Sequence, residues 1–185
     1  MSGPSRPAAV LVGPPGAGKT TIGRKLARRL DVEFRDSDQL IEVRRGLSIP
    51  EIFASDGEAG FREIEQEIVG EMLAGFDGVL SLGGGAVLSA VTRERLRGTR
   101  VIHMTIGVAE GVRRSRGSGR PLLAGGDVTA RYQAMLTERA PLYRAVAWAT
   151  VTTERRSSGK VVTDIVERLQ TGDPHARGSD RRVTR

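Results

Sequence analysis

Lys19 and Thr20 close the string GPPGAGKT at residues 13–20, a complete match to the phosphate-binding pattern GxxxxGK[ST]. Its glycines, Gly13, Gly16 and Gly18, let backbone N–H groups close around phosphate oxygens, with Ala17 and Thr21 in the same cradle. Lys19 would reach the β- and γ-phosphates, and the Thr20 hydroxyl would meet Mg²⁺. The chemistry implied is that of ATP or GTP, with the acceptor left open. A Gly-rich turn without a ligand is the alternative reading of the same string.

Four further groups could take part. Asp36 and Asp38 are carboxylates one residue apart, able to hold a metal or its waters and to orient a hydroxyl acceptor and take its proton. They could equally cap the helix that begins at Gln39-Leu40-Ile41. Gly83, Gly84 and Gly85 are consecutive, which is entropically costly unless something approaches that backbone closely. A platform of N–H groups facing a substrate or phosphate fits the triplet better than a turn. Arg62 lies beside the apolar stripe of Phe61, Ile64 and Ile68, and taken alone reads as a surface ion pair with Glu65 or a partner of Gln66. Arg120 sits within SRGSGRPLLAGGD, residues 115–127, a Gly-rich stretch that could be a lid carrying one arginine to a phosphoryl group in transfer, or a solvated loop.

To bring these groups together the chain must alternate strands and helices. Apolar runs predict strands at 8–12, 32–35, 79–82, 100–105 and 149–152. Helical spacing predicts helices at 19–30, 38–45, 50–75 with a break near Asp56 and Gly57, 91–97, 108–116, 129–145 with an irregularity at Pro141, and 160–169. Ser48, Pro50 and Glu51 form a capping-box signature at the start of the third helix. Every strand is followed by a crossover, so an α/β domain with a parallel sheet covered on both faces is expected, with its ligands at the carboxyl ends of the strands.

At 185 residues one domain is expected, spanning 8–170, with flexible tails at 1–7 and 171–185, the second of them basic. No run approaches the ~18 apolar residues of a membrane span, and MSGPSRPA lacks the apolar core of a signal peptide, so a soluble cytoplasmic protein with no membrane partner is expected. The absence of cysteine excludes disulfides and thiolate metal sites. The net charge of +7 raises the question of nucleic acid, yet Arg177, Arg181, Arg182 and Arg185 crowd the terminus and aromatics make up only 4%, which leaves little to stack on bases. No specific nucleic-acid partner is expected.

Taken together, GPPGAGKTTIGRKLA, the DSD at 36–38, IFASDGEAGFREIE, VLSLGGGAV, RSRGSGRPLL and ERAPLYRAVA resemble shikimate kinase, over about residues 10–169. The resemblance implies a three-layer α/β/α P-loop kinase fold of the nucleoside monophosphate kinase type, with a five-stranded parallel sheet of order 2-3-1-4-5 and a lid near 115–127. It implies ATP-dependent phosphorylation of the shikimate 3-hydroxyl with Mg²⁺, in chorismate biosynthesis, by a monomer whose partners are shikimate and ATP. Carried over by position, Lys19, Asp38 and Arg120 are catalytic, and Thr20 and Asp36 serve the metal. ATP is held by Gly13, Gly16, Ala17, Gly18, Lys19, Thr20, Thr21, Arg114, Arg120 and Arg156. Shikimate is held by Asp38, Arg62, Gly83, Gly84, Gly85 and Arg139, with Glu65 orienting Arg62. Two arginines suit the carboxylate of a ring acid. The family often carries a proline where this chain has Ser158. A gluconate or nucleoside monophosphate kinase shares the fold and remains a rival. A remodelling ATPase is disfavoured by the absence of any Asp-Glu dipeptide and by the short chain.

Overall fold

The computed structural model describes residues 6–115 and 127–176. Strand β1 (Ala9–Val12) is buried at all four positions, as a central parallel strand must be when both faces are covered. Its period of two divides the core: Ala9 and Leu11 enter one apolar cluster, Val10 and Val12 the other. β3 (Val79–Ser81) and β4 (Val101–Thr105) flank β1, with β2 (Phe34–Asp36) beyond β3 and β5 (Ala149–Thr152) beyond β4. All four pairings are parallel, and the order β2-β3-β1-β4-β5 is the one expected.

The first face is covered by α1 (Lys19–Leu30) and α7 (Ser158–Thr171), which contribute Leu26, Val161 and Ile165 to the cluster containing Leu11 and Ile102. Each such fully buried aliphatic side chain contributes about 1.5–3 kcal/mol. Gly23 lets α1 lie close to the sheet, since a Cβ there would collide with the ring of Phe34. On the other face, α2 (Ser37–Arg45), α3 (Ile49–Gly75) and the end of α6 (Val128–Val146) supply Ile41, Phe61, Ile68 and Tyr143. The short α4 (Ala90–Arg95) follows a 3-10 turn at Ala86–Leu88. α5 (Val108–Ser115) packs on α6 through Val112, Tyr132 and Met135.

The expected capping box is present, with the Ser48 N–H donating to Glu51 Oε2 at 2.7 Å. The break expected near Gly57 is also found, with φ 70° and ψ −179° inside α3. Other boundaries differ. β2 begins at Phe34 and not at 32, because Asp31 turns left-handed (φ 55°) and the Val32 N–H returns to Ala27 O, which keeps the chain on the end of α1. The 3-10 turn was not expected, whereas α6 runs through Pro141 as expected and extends one residue further at each end, Val128–Val146. Residues 116–126, which include Arg120 and most of the expected lid, lie outside the described residues, as do 1–5 and 177–185.

Candidate active site

The carboxyl ends of β1, β2 and β3 open into one cleft of about 300 Å³ lined by Gly18, Lys19, Thr20, Asp36, Asp38 and Arg114 among others. The loop after β1 can exist only with glycines at its tightest points. Gly13, Gly16 and Gly18 have φ of 147°, 78° and 84°, and a Cβ on Gly13 would collide with the Met104 carbonyl. Lys19 is 7% exposed, and its Nζ donates to the carbonyls of Gly13 (2.7 Å) and Pro14 (3.2 Å), so the ammonium is held across the mouth of its own loop. Tyr132 of α6 braces the loop from outside, its hydroxyl donating to Pro15 O at 2.7 Å.

Asp36 has two partners. Its Oδ1 accepts the Asp38 N–H at 3.1 Å, capping α2, and its Oδ2 accepts the Thr20 hydroxyl at 2.8 Å. Capping and the phosphate loop therefore use different oxygens of one buried carboxylate. Among the described residues no three His, Cys, Asp or Glu side chains cluster as a metal cage. Thr20 and Asp36 do form an oxygen pair of the kind that a hard cation shares with phosphates.

Across the cleft lies a second set. Gly83, Gly84 and Gly85 are buried directly after β3, and the Gly83 N–H donates to Ser37 Oγ at 2.8 Å. A Cβ at Gly83 would strike the Asp38 and Glu65 carboxylates, and one at Gly85 would strike the Arg62 guanidinium. Gly84 differs: a Cβ there would meet only ordinary contacts near 3.5 Å, while its carbonyl accepts from Arg139 (3.2 Å) and from the Tyr143 hydroxyl (2.5 Å). The triplet thus leaves room for functional side chains on both sides. Arg62 donates to buried Glu65 at 2.5 Å and to exposed Glu58 at 3.3 Å. Burial holds the Glu65 carboxyl above the ordinary value, with Arg62 opposing the shift and the nearby Asp38 adding to it. Arg62 Nε, Arg139 Nε and Glu65 Oε1 are buried without a hydrogen-bond partner among the described residues. Three such polar atoms in one place leave donors and an acceptor available to a polar ligand.

A smaller cleft of about 200 Å³ continues past Thr21, lined by Arg114, Thr153, Arg156 and Ser158 among others. Arg114 lines both clefts and is oriented by Glu110 at 2.7 Å, while Arg156 is held by Asp164 at 2.5 Å. Ser158 accepts from Lys25 at 2.5 Å.

The family model for shikimate kinase matches residues 15–170. A shikimate kinase of Rhodococcus erythropolis is 52% identical over 166 residues, covering 89% of this chain and 98% of the relative. One from Mycobacterium tuberculosis is 54% identical over 169 residues, covering 91% and 96%. The chain belongs to the shikimate kinase family. Among solved structures, the shikimate kinase of Acinetobacter baumannii in complex with shikimate superposes with a TM-score of 0.87 at 38% identity, over 90% of this chain and 94% of that one. The three-layer P-loop fold expected from the resemblance is the fold found.

Within this shikimate kinase scaffold, the residues singled out from sequence fall into two facing groups. Lys19, Thr20, Asp36 and Arg114 line the loop side, and Arg62, Gly83, Gly84, Gly85 and Arg139 assemble across from it, with Asp38 lining the cleft beside Gly83. Arg120 cannot be placed in either group, being outside the described residues. Tyr132 and Tyr143 carry no motif of their own in the sequence. Both are buried, but their hydroxyls reach Gly84 and Pro15 across 59 and 117 residues, and such long-range bonds leave no local spacing to read.

Proposed function

We propose that this chain transfers the γ-phosphoryl group of ATP to the 3-hydroxyl of shikimate, giving shikimate 3-phosphate and ADP. The observation that carries the reading is the placement of Asp38, Arg62 with Glu65, the glycine triplet and Arg139 opposite Lys19 and its loop. Arg62 and Arg139 offer guanidinium edges to the substrate carboxylate, which favours a ring acid over a neutral sugar. Asp38 and the unpartnered Glu65 Oε1 both border Gly83, where ring hydroxyls would find acceptors.

In the transfer, a bond forms between the substrate O3 and the γ-phosphorus as the bond from that phosphorus to the β,γ-bridging oxygen breaks. The hydroxyl proton passes to Asp38. Lys19 exchanges its two loop carbonyls for phosphate oxygens and, with the loop N–H groups and Arg120, neutralises charge spread over the γ-phosphoryl. Mg²⁺ would be held by Thr20 and Asp36, directly or through water, and supplies charge neutralisation at the phosphates. Arg114 and Arg156 border the cleft suited to the adenine. The protein acts as a monomer in the cytoplasm, without membrane or nucleic-acid partners.

A coupled ADP-release assay with shikimate, gluconate, AMP and no acceptor tests the assignment. Turnover is expected with shikimate alone, and to fall by a factor on the order of 10² or more in Lys19→Ala and in Asp38→Ala at unchanged fold. Preference for gluconate or AMP, or wild-type kcat in either variant, overturns it.

A further inference from the structure

A cavity of about 360 Å³ lies away from the active site, at the N-terminal edge of β5, lined by Arg144, Trp148, Thr150, Arg168 and His175 among others. In a parallel sheet this edge is opposite the one that carries the phosphate loop. Arg144 comes from the last turn of α6 and Arg168 from the last turn of α7. Two guanidiniums therefore border one small space, and among the described residues neither has an ion-pair partner. Most other arginines near the clefts are neutralised by a carboxylate, as Arg62, Arg114 and Arg156 are.

Arg168 is held in a particular way. Its NH1 donates to Thr150 O at 3.2 Å and to the Pro174 carbonyl, joining edge strand β5 to the segment after α7. That leaves the opposite edge of the guanidinium, Nε and NH2, as the fork that in arginine receives two oxygens of one anion. Nε is buried and has no hydrogen-bond partner among the described residues. An unmet buried donor is unfavourable, and two like charges facing one space add to that cost. An oxyanion would relieve both. The half-buried indole of Trp148 supplies an apolar wall.

We propose that this cavity is a second ligand site that binds a small carboxylate or phosphate oxyanion between Arg144 and Arg168, beside Trp148. The site is independent of the phosphate loop, and it adjoins the shikimate side of the active site through α6. Tyr143, the neighbour of Arg144, holds Gly84 through its hydroxyl and stacks on His103 at 5.2 Å, and Arg144 lies near enough to His103 to help hold its imidazole neutral.

Trp148 is the only tryptophan in the chain, so intrinsic fluorescence reports on this cavity. Inorganic phosphate and benzoate are titrated separately into the full-length protein, with chloride replaced to hold ionic strength constant. A saturable change in Trp148 emission is expected with at least one of the two, and which one responds identifies the oxyanion class. Half-saturation is expected to be unchanged in Lys19→Ala and to rise about tenfold or more in Arg144→Gln, the loss of one charge-assisted hydrogen bond. Arg144 is exposed, so that substitution leaves the core intact. The proposal is overturned if neither anion gives a saturable change, if Arg144→Gln titrates like the wild type, or if Lys19→Ala abolishes the response, which would trace it to the phosphate loop.

Discussion

The three glycines after β3 are adjacent in sequence but do different work, and single methyl groups can separate them. Alanine at Gly85 places its Cβ against the Arg62 guanidinium, whereas at Gly84 it meets only ordinary contacts. Gly85→Ala is therefore expected to raise KM for shikimate by about tenfold, the loss of one charge-assisted contact, with KM for ATP unchanged. Gly84→Ala should stay within about twofold on both, since ordinary van der Waals contact needs no rearrangement. Steady-state kinetics on the pair decides, and equal effects at the two positions would disprove this account. His103 gives a second prediction at this scale. Burial in β4, with Arg144 nearby, lowers its pKa to about 4 from an ordinary 6.5, so below pH 6.5 the unfolded chain binds a proton that the folded one excludes. Its contribution to stability is thus lost progressively as pH falls from 6.5 towards 4, and is constant above that window. Tm measured across the window should fall less steeply in His103→Phe than in the wild type, and parallel curves would refute the assignment.

At the scale of elements, close packing of α1 on the sheet depends on Gly23. Gly23→Ala gains roughly 0.5–1 kcal/mol of helix propensity, but its Cβ collides with Phe34, and overpacking typically costs about 1–3 kcal/mol. Clash should win. Urea unfolding is expected to show a lower midpoint at an unchanged m-value, and a stabilised variant would show that α1 can shift freely. Elements whose signals are local were legible in the sequence. The phosphate loop, the capping box at Ser48, the Gly57 break and the five strands all depend on residues within a few positions of each other. Boundaries were less legible where tertiary contacts or caps override spacing: the left-handed Asp31 delays β2, and the 3-10 turn at Ala86–Leu88 follows the glycine triplet with no local signal of its own. Arg62 shows the same limit within the site. Its helical spacing to Glu65 reads as a surface pair, but Glu65 is 3% exposed, and burial depends on the sheet and glycine triplet packed over it. Only the resemblance, which uses the whole ordered set of strings, placed Arg62 and Arg139 together.

Over the whole molecule, the sheet brings the phosphate loop and the proposed acceptor pocket to one edge and leaves the arginine-lined cavity at the other. One helix touches all three places. Tyr132 of α6 holds the phosphate loop at Pro15, Arg139 and Tyr143 hold the glycine platform at Gly84, and Arg144 borders the distant cavity. These four side chains lie within little more than three turns of one helix, with Pro141 between Arg139 and Tyr143. α6 therefore links the two proposed substrate sites, and a ligand that shifted it at one site would change the free energy of binding at the other. Such heterotropic linkage is reciprocal by thermodynamic necessity. The factor by which a non-hydrolysable ATP analogue changes the Kd of shikimate must equal the factor by which shikimate changes the Kd of the analogue. Calorimetric titrations in both orders should return one shared factor different from unity, and Tyr132→Phe, which removes the hydrogen bond to Pro15, should bring that factor towards one.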